Sequence, residues 1–243
     1  MGTALTALAG GDCALFDMRG SVDVELLHEG MELLSADDDA LSAGANLALV
    51  GRELIQFGRA DPIGPRLYRL SRLLRGRRGT EWAAGLHQGG EEFALVEADS
   101  CTAIMLPPGI GAGASVRLLA SGVGDSIPAE AELIVAGEAL RPPSPVHLRA
   151  AALANGDHLI GWVRRSRLGW SWTSGSDTPL GEEQEAYRLT FSGAGGARQI
   201  EVAGSPYVYT AAAHAADGAG AVVIEVVQIG THAVSRPAAV TIS

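Results

Sequence analysis

This sequence predicts an all-β chain made of an irregular β-rich domain followed by a β-sandwich, and three observations carry the prediction. Glycine is abundant, at 32 of 243 residues, while aromatics are only 5% of the chain, so turns are plentiful and large core anchors few. Apolar runs are short, of strand length, and are bounded by Gly-, Pro-, Asn- or Asp-bearing turns. Few stretches hold the 3.6-residue period of an amphipathic helix. A content of 47% apolar and 19% charged residues is globular, and the length allows two domains that each bury a core. At Arg141-Pro142-Pro143-Ser144-Pro145 the prolines favour an extended, stiff connector, so the predicted domains are residues 1–141 and 142–243.

In the first domain Val22-Asp23-Val24-Glu25-Leu26 alternates strictly, as a half-buried strand does, and Met31–Leu34 can return against it. Leu47–Val50 and Glu53–Phe57 are two apolar runs folded back as a hairpin by the turn-compatible pair Gly51-Arg52. Arg66–Arg75 is ambiguous: arginines at 66, 69, 72 and 75 suit a short amphipathic helix, whereas Tyr68, Leu70 and Leu74 suit a strand. Ten residues between Pro65 and Gly76 make a marginal helix, so a strand is expected. Ala94–Val96, Thr102–Leu106, Val116–Ala120 and Glu132–Val135 complete the strand candidates. The second domain offers seven runs, Val146–Leu153, His158–Val163, Ala186–Phe191, Gln199–Val202, Tyr207–Tyr209, Val222–Ile229 and Ala238–Ile242, the spacing of a β-sandwich.

Between Gly44 and Val96 lies the corner Arg75-Gly76, Gly79-Thr80, His87 and Gly90. Gly76 and Gly79 can take positive φ around a tight turn, with Arg75, Arg77 and Arg78 solvated or reaching neighbouring carbonyls. His87 is read as a loop histidine bonded to the backbone of the corner without metal, because no second His or paired carboxylate sits at ligand spacing.

The charge balance is acidic: −9 up to Arg141, from 11 Arg against 20 Asp and Glu, and −1 beyond it. A free nucleic-acid binder would show a basic surface, so none is expected to bind. All 18 basic residues are Arg, and no function is built on that. Cys13 and Cys101 have no CxxC or Cys/His companion; either two thiols or one bridge is compatible with the sequence, and free thiols are favoured. No secretory apolar region opens the chain, and no apolar run approaches the roughly 18 residues that span a bilayer, so a soluble chain without membrane insertion is expected.

The remaining motifs read as structure. Gly109–Gly113 lacks the Lys-Ser/Thr of a phosphate loop and is expected at the surface. Asp37-Asp38-Asp39 lacks spaced ligands and a distal bidentate Glu, which favours a solvated loop over a Ca²⁺ site. No nucleophile sits in a GxSxG elbow, and the pairs Glu91-Glu92 and Glu182-Glu183 point to opposite faces or to solvent, so neither catalysis nor a cofactor is expected. The segment 164–184, RRSRLGWSWTSGSDTPLGEEQ, is long for a strand connection and sets Trp170 and Trp172 beside Arg164, Arg165 and Arg167. That composition suits a contact with a partner protein or a glycan; the competing reading is that one tryptophan covers the sandwich edge or docks on the preceding domain.

Two resemblances rest on these residues. The 44–90 block, with the Trp162–Glu183 stretch, resembles the C-terminal region of the large tail-tip (baseplate hub, "host specificity") protein of gene transfer agents and related long-tailed phages. The resemblance implies a structural protein of a virion-like particle's tail tip, made in the bacterial cytoplasm, contacting other tail and baseplate proteins in a homo-oligomer, a trimer, and reaching a cell-surface glycan. It also implies that a TIM-barrel-like domain and hub domains precede Met1 in the parent protein or have been cut away. Residues 142–243 resemble fibronectin type III modules: Pro145 opens the first strand, Trp162 and Tyr187 take the core positions of the second and third, and Ser235-Arg236-Pro237 precedes the last. The tyrosine-corner position of the sixth strand holds Val222 or Val223, which removes a stabilising hydrogen bond. The alternative function is a carbohydrate-binding accessory module of a secreted protein, with Trp170 and Trp172 stacking on sugar rings.

Overall fold

The computed structural model describes residues 1–97, 101–168 and 178–243, which divide into two compact units, Met1–Met105 and Leu106–Ser243. The division falls ahead of the proline-rich connector expected at Arg141–Pro145.

The first unit is a closed six-stranded barrel. Its strands are β1 (Gly2–Ala4), β2 (Phe16–Leu26), β3 (Leu47–Val50), β4 (Glu53–Gly64), β5 (Leu67–Leu74) and β6 (Glu91–Leu95), paired antiparallel in the order β1-β2-β5-β4-β3-β6 and closed by β6 on β1. Closure leaves no unpaired edge, and the inward residues Val22, Val24, Leu26, Val50, Ile55, Phe57, Leu70 and Phe93 fill the interior. The hairpin around Gly51-Arg52 forms as expected, with Val50 opposite Glu53.

Residues 67–74 are a strand, and a bulge reconciles their two periodicities. Arg72 sits at φ 55, and the pairing of β2 with β5 slips between Asp17 and Ser21. The positive φ of Arg72, opposite the surplus residues 18–20 of β2, reverses the alternation, so Leu70 and Leu73 both face the core although three positions apart. Arg75, two residues past Leu73, therefore turns inward as well. Arg66, Arg69 and Arg72 stay outside, paired with Glu25, Asp23 and Asp38, and Arg72 also lies 4.4 Å over the Phe16 ring.

Two expected strands do not form. Met31–Leu34 runs irregularly and leads into Ala36, whose N–H donates to Gly58 O, while Leu33 plugs the barrel core. Thr102–Leu106 makes no ladder. Asp37-Asp38-Asp39 is not a simple loop: Asp37 caps the short helix α1 (Asp38–Ser42), accepting from Ala40 N–H at 2.9 Å. The segment around α1 is fastened to β4 by Gln56, whose amide donates to Leu41 O and Ala45 O at 2.8 Å each.

The second unit holds a hairpin, β7 (Ser115–Ala120) with β8 (Ala129–Ile134), and a sandwich. The sandwich strands are β9 (Val146–Ala152), β10 (His158–Val163), β11 (Tyr187–Gly193), β12 (Gly196–Val202), β13 (Tyr207–Tyr209), β14 (Val222–Gln228) and β15 (Ala238–Ile242). One sheet runs β13-β10-β9 and the other β12-β11-β14-β15. This division of seven antiparallel strands, with the second and third in opposite sheets, makes the domain fibronectin type III-like. Trp162 and Tyr187 meet in the core at 5.0 Å, edge to face, and Phe191 stacks on Tyr209 at 4.7 Å.

The corner between β13 and β14 is built differently from the family pattern. Val222 is buried in the core, and a short helix, α2 (Ala211–Ala216), absent from the sequence reading, fills the connection. Tyr209, on the preceding strand, donates its hydroxyl to Asp217 Oδ2 at 2.7 Å, and Arg198 Nε donates to the same carboxylate at 2.8 Å. Burial first, and the Asp217 carboxylate second, push the Tyr209 hydroxyl up to about 12. The hydrogen bond lost at Val222 is thus replaced by another tyrosine clasping the same corner.

Candidate functional site

The corner singled out in the sequence is a buried ionic knot at one end of the barrel. Gly76 and Gly79 both have positive φ, 58 and 86, and fold the chain after β5 into two consecutive 3₁₀ turns. Arg77 and Arg78 are exposed, but Arg75 is not solvated: its side chain has no accessible surface. Its guanidinium donates from Nε and Nη2 to Glu53 Oε1 and Oε2, both at 2.8 Å. Nη1 donates to Ala9 O at 2.8 Å and to Asp17 Oδ2 at 3.2 Å. This planar, bidentate arrangement uses the geometry that distinguishes Arg from Lys.

Glu53 is equally enclosed. Besides Arg75 it accepts from Gly76 N–H at 2.6 Å, and its Oε2 lies 2.7 Å from His87 Nε2. His87 Nδ1 lies 2.7 Å from Glu91 Oε2. His87 therefore bonds two carboxylates and not the corner backbone, which corrects the expectation; Glu53 is distant in sequence and is brought in by the barrel. Both ring contacts are hydrogen bonds only when each nitrogen carries a proton, since an ionised carboxylate only accepts. Burial alone would raise the Glu53 carboxyl, but the bonds from Arg75, His87 and the Gly76 N–H hold it below the ordinary glutamate value. Asp17 is lowered in the same way, burial being outweighed by the Gly20 and Arg19 N–H groups and by Arg75.

The remaining corner residues are fasteners. Thr80 Oγ1 accepts from Leu54 N–H at 2.9 Å and donates to Arg77 O at 2.8 Å. Gly90 N–H donates to Ala4 O at 2.7 Å and takes φ 93. Gly51 takes φ 55, and a Cβ there would lie 2.6 Å from the Glu91 carboxyl carbon that reaches past it to His87, so a larger side chain displaces that carboxylate. Outside the knot, Arg52 lies 4.6 Å over the Trp82 ring beside a recess of about 90 Å³ that also touches Leu86, His87 and Glu91. A recess of that size admits a few waters. Chemically the knot is closed: both His87 nitrogens are engaged, Glu53 and Arg75 have no accessible side-chain surface, and the His87 side chain is 2% exposed. Among the described residues no group of three or more His, Cys, Asp or Glu is placed to hold a metal ion, and Cys13 and Cys101 are not bridged by a disulfide.

The second candidate is the connection between β10 and β11. Trp170 and Trp172 lie outside the described residues, so only its neck is seen. Arg164 Nη2 donates to Thr178 O at 2.7 Å. Arg167 donates from Nε to Glu182 Oε1 and from Nη2 to Gly181 O, both at 2.8 Å. Glu182 also accepts from Thr231 N–H at 2.7 Å; burial would raise its carboxyl, and that bond with Arg167 outweighs the effect and lowers it. Arg164 and Arg167 thus clasp the two arms of the connection together. Of the five residues expected to meet a partner, these two act first as a neck. Glu182, read in sequence as solvated, is the missed member, and its signal was the Arg167 fifteen residues earlier on the facing arm.

The fold and site together define a small closed β-barrel with a buried charge knot, joined in one chain to a fibronectin type III-like sandwich. Residues 1–94, essentially the barrel, match the family model described as "Rcc01698-like, C-terminal", a family name consistent with gene transfer agent proteins. No curated protein matches the chain. Among solved structures, the chain is similar to the rat CD45 extracellular region, domains d3-d4, at TM-score 0.30 and 9% identity over 63% of this chain and 88% of that one. It is also similar to the chicken CNTN1 FN1-FN3 domains, at TM-score 0.28 and 11% identity over 99% of this chain and 64% of that one. The sandwich assignment rests on strand order and not on these alignments.

Proposed function

We propose that this chain is a structural component of the tail tip, or baseplate, of a gene transfer agent or related phage-like particle, acting by assembly and by contact with the cell surface. The observation that carries the reading is the match of the barrel to the Rcc01698-like C-terminal family, over the same residues that contain the knot. The chemistry of the knot supports it: Arg75, Glu53 and His87 are consumed in holding one another, as in a scaffold, and offer no open acid, base or nucleophile. Under this reading the partners are other tail proteins and further copies of the chain, and the site of action is the particle. The β10–β11 connection, with Trp170 and Trp172 beyond its clasped neck, is the element offered to a glycan.

The test is to tag the chain in a particle-producing cell and ask whether it co-purifies with tails. Trp170→Ala and Trp172→Ala are then expected to leave the chain folded and to weaken assembly or attachment. A chain absent from purified particles refutes the reading. Tight saccharide binding by a chain that never enters particles would instead favour an accessory carbohydrate-binding module.

A further inference from the structure

We propose that the β7–β8 hairpin of one copy of this chain docks on the outer face of the β13-β10-β9 sheet of a second copy. The contact deepens the assembly reading and rests on it. It comes from two surfaces of the second unit that are unpartnered in a complementary way.

The first surface is the hairpin. Among the described residues its two strands pair only with each other, and every residue of β8 is exposed. A lone two-stranded hairpin is marginal in water without a third strand or a packing partner. One face carries Leu119 and Ile134, 64% and 69% exposed, around Arg117, Glu130 and Glu132. Arg117 pairs with Glu130, and Glu132 accepts only from the neutral Ser115 hydroxyl, so this face holds one uncompensated negative charge.

The second surface is the outer sheet face. Leu148 and Ala150 of β9, and Ile160 and Trp162 of β10, point to the core, so Arg149, Leu159, Gly161 and, on β13, Val208 point out. The missing side chain at Gly161, directly opposite Arg149, leaves a groove of about 620 Å³ with Leu159 and Val163 on its floor. Arg149 lies along this groove, its Nε 3.8 Å from where a Gly161 Cβ would stand. Each other arginine of the described second unit has a partner within the chain, whereas Arg149 has none.

The two surfaces therefore match: a face with two exposed apolar side chains and one free anion, and an apolar groove with one free cation. Their lengths also agree, since β8 and β10 are six residues each, about 20 Å. Hairpin and groove are different surfaces, so the contact is exchanged reciprocally in a two-fold dimer or made head-to-tail in a ring or open series. Glu132 seats on Arg149, and Leu119 and Ile134 fill the floor beside Gly161.

Sedimentation of the full chain over a range of concentrations tests this, with far-UV circular dichroism to check folding. The wild type is expected to self-associate. Arg149→Glu and Glu132→Arg should each weaken association about tenfold, the factor equivalent to about 1.4 kcal/mol, and the double charge swap should restore it. Leu119→Asp, a change at an exposed position, should weaken it without unfolding. A wild-type chain that stays monomeric at every concentration, or association indifferent to both charge reversals, overturns the proposal. Association that follows the charge swap in a chain absent from particles would sustain the contact and refute the tail-tip reading, which keeps the two failures distinct.

Discussion

Replacing Arg75 by Ala is the most direct probe of what holds the barrel shut. The guanidinium makes two bonds to Glu53, one to Ala9 O and one to Asp17, and neither Arg75 nor Glu53 has side-chain surface in contact with solvent. Removing it leaves Glu53 charged and enclosed with only His87 and the Gly76 N–H as partners. Breaking one half of a buried pair costs about 3–5 kcal/mol, because the surviving charge loses its compensation and regains no water. A domain of this size holds roughly 5–15 kcal/mol in total, so the barrel should lose a large part of its stability while the sandwich loses none. Hydrogen exchange read by mass spectrometry separates the units: amides of β2 and β5 should lose protection and those of β11 and β14 should not. Arg75→Met combined with Glu53→Gln should cost less than Arg75→Ala alone, since the enclosed Glu53 charge is gone and Asp17 keeps its Arg19 and Gly20 N–H bonds. A loss below about 1 kcal/mol for Arg75→Ala, the range of an exposed pair, would refute the argument that burial gives this contact its weight.

The knot also sets an acid limit. Glu53 is held below its ordinary value of 4.5, so its contribution is fully present above about pH 4.5 and is lost as the pH falls through the lower folded value; Asp17 acts in the same sense. Barrel stability followed against pH should fall steeply below about 4.5, with a shallower fall in Glu53→Gln. Gly51→Val should destabilise the barrel by about 1–3 kcal/mol in a thermal melt, since it strains a φ of 55 and displaces Glu91 from His87; a neutral outcome would count against that close approach. In the sandwich, Tyr209→Phe should cost about 1.5–3 kcal/mol by removing a hydrogen bond to a carboxylate, measured by urea unfolding; no change would mean Arg198 alone holds the corner. Trp162→Ala should cost about 3–5 kcal/mol by the same assay, and a value near zero would place that ring outside the core.

The sequence by itself determined the strands whose register follows from local pattern. The seven runs after Pro145 became seven strands because each alternates within a short window and ends at a turn residue, and local alternation survives whatever packs above it. The Gly51-Arg52 hairpin was legible for the same reason, as were the positive φ values at Gly76 and Gly79, which depend on the missing Cβ and on nothing distant. Tertiary structure decided what depends on closure. The positive φ of Arg72, opposite the slip in β2, turned Arg75 inward, and no composition marks where an arginine takes that conformation. The barrel then carried Glu53 and Asp17, 22 and 58 positions away, onto that one guanidinium and set His87 between two carboxylates, so residues that read as solvated turn chemistry became the enclosed centre of the unit. The corner between β13 and β14 shows the same limit: Val222 announced a lost hydrogen bond, and only the folded chain could bring Tyr209 to Asp217 to replace it. Hydrogen-bond partners far apart in sequence are chosen by how sheets close and pack, and that choice is not written in any local window.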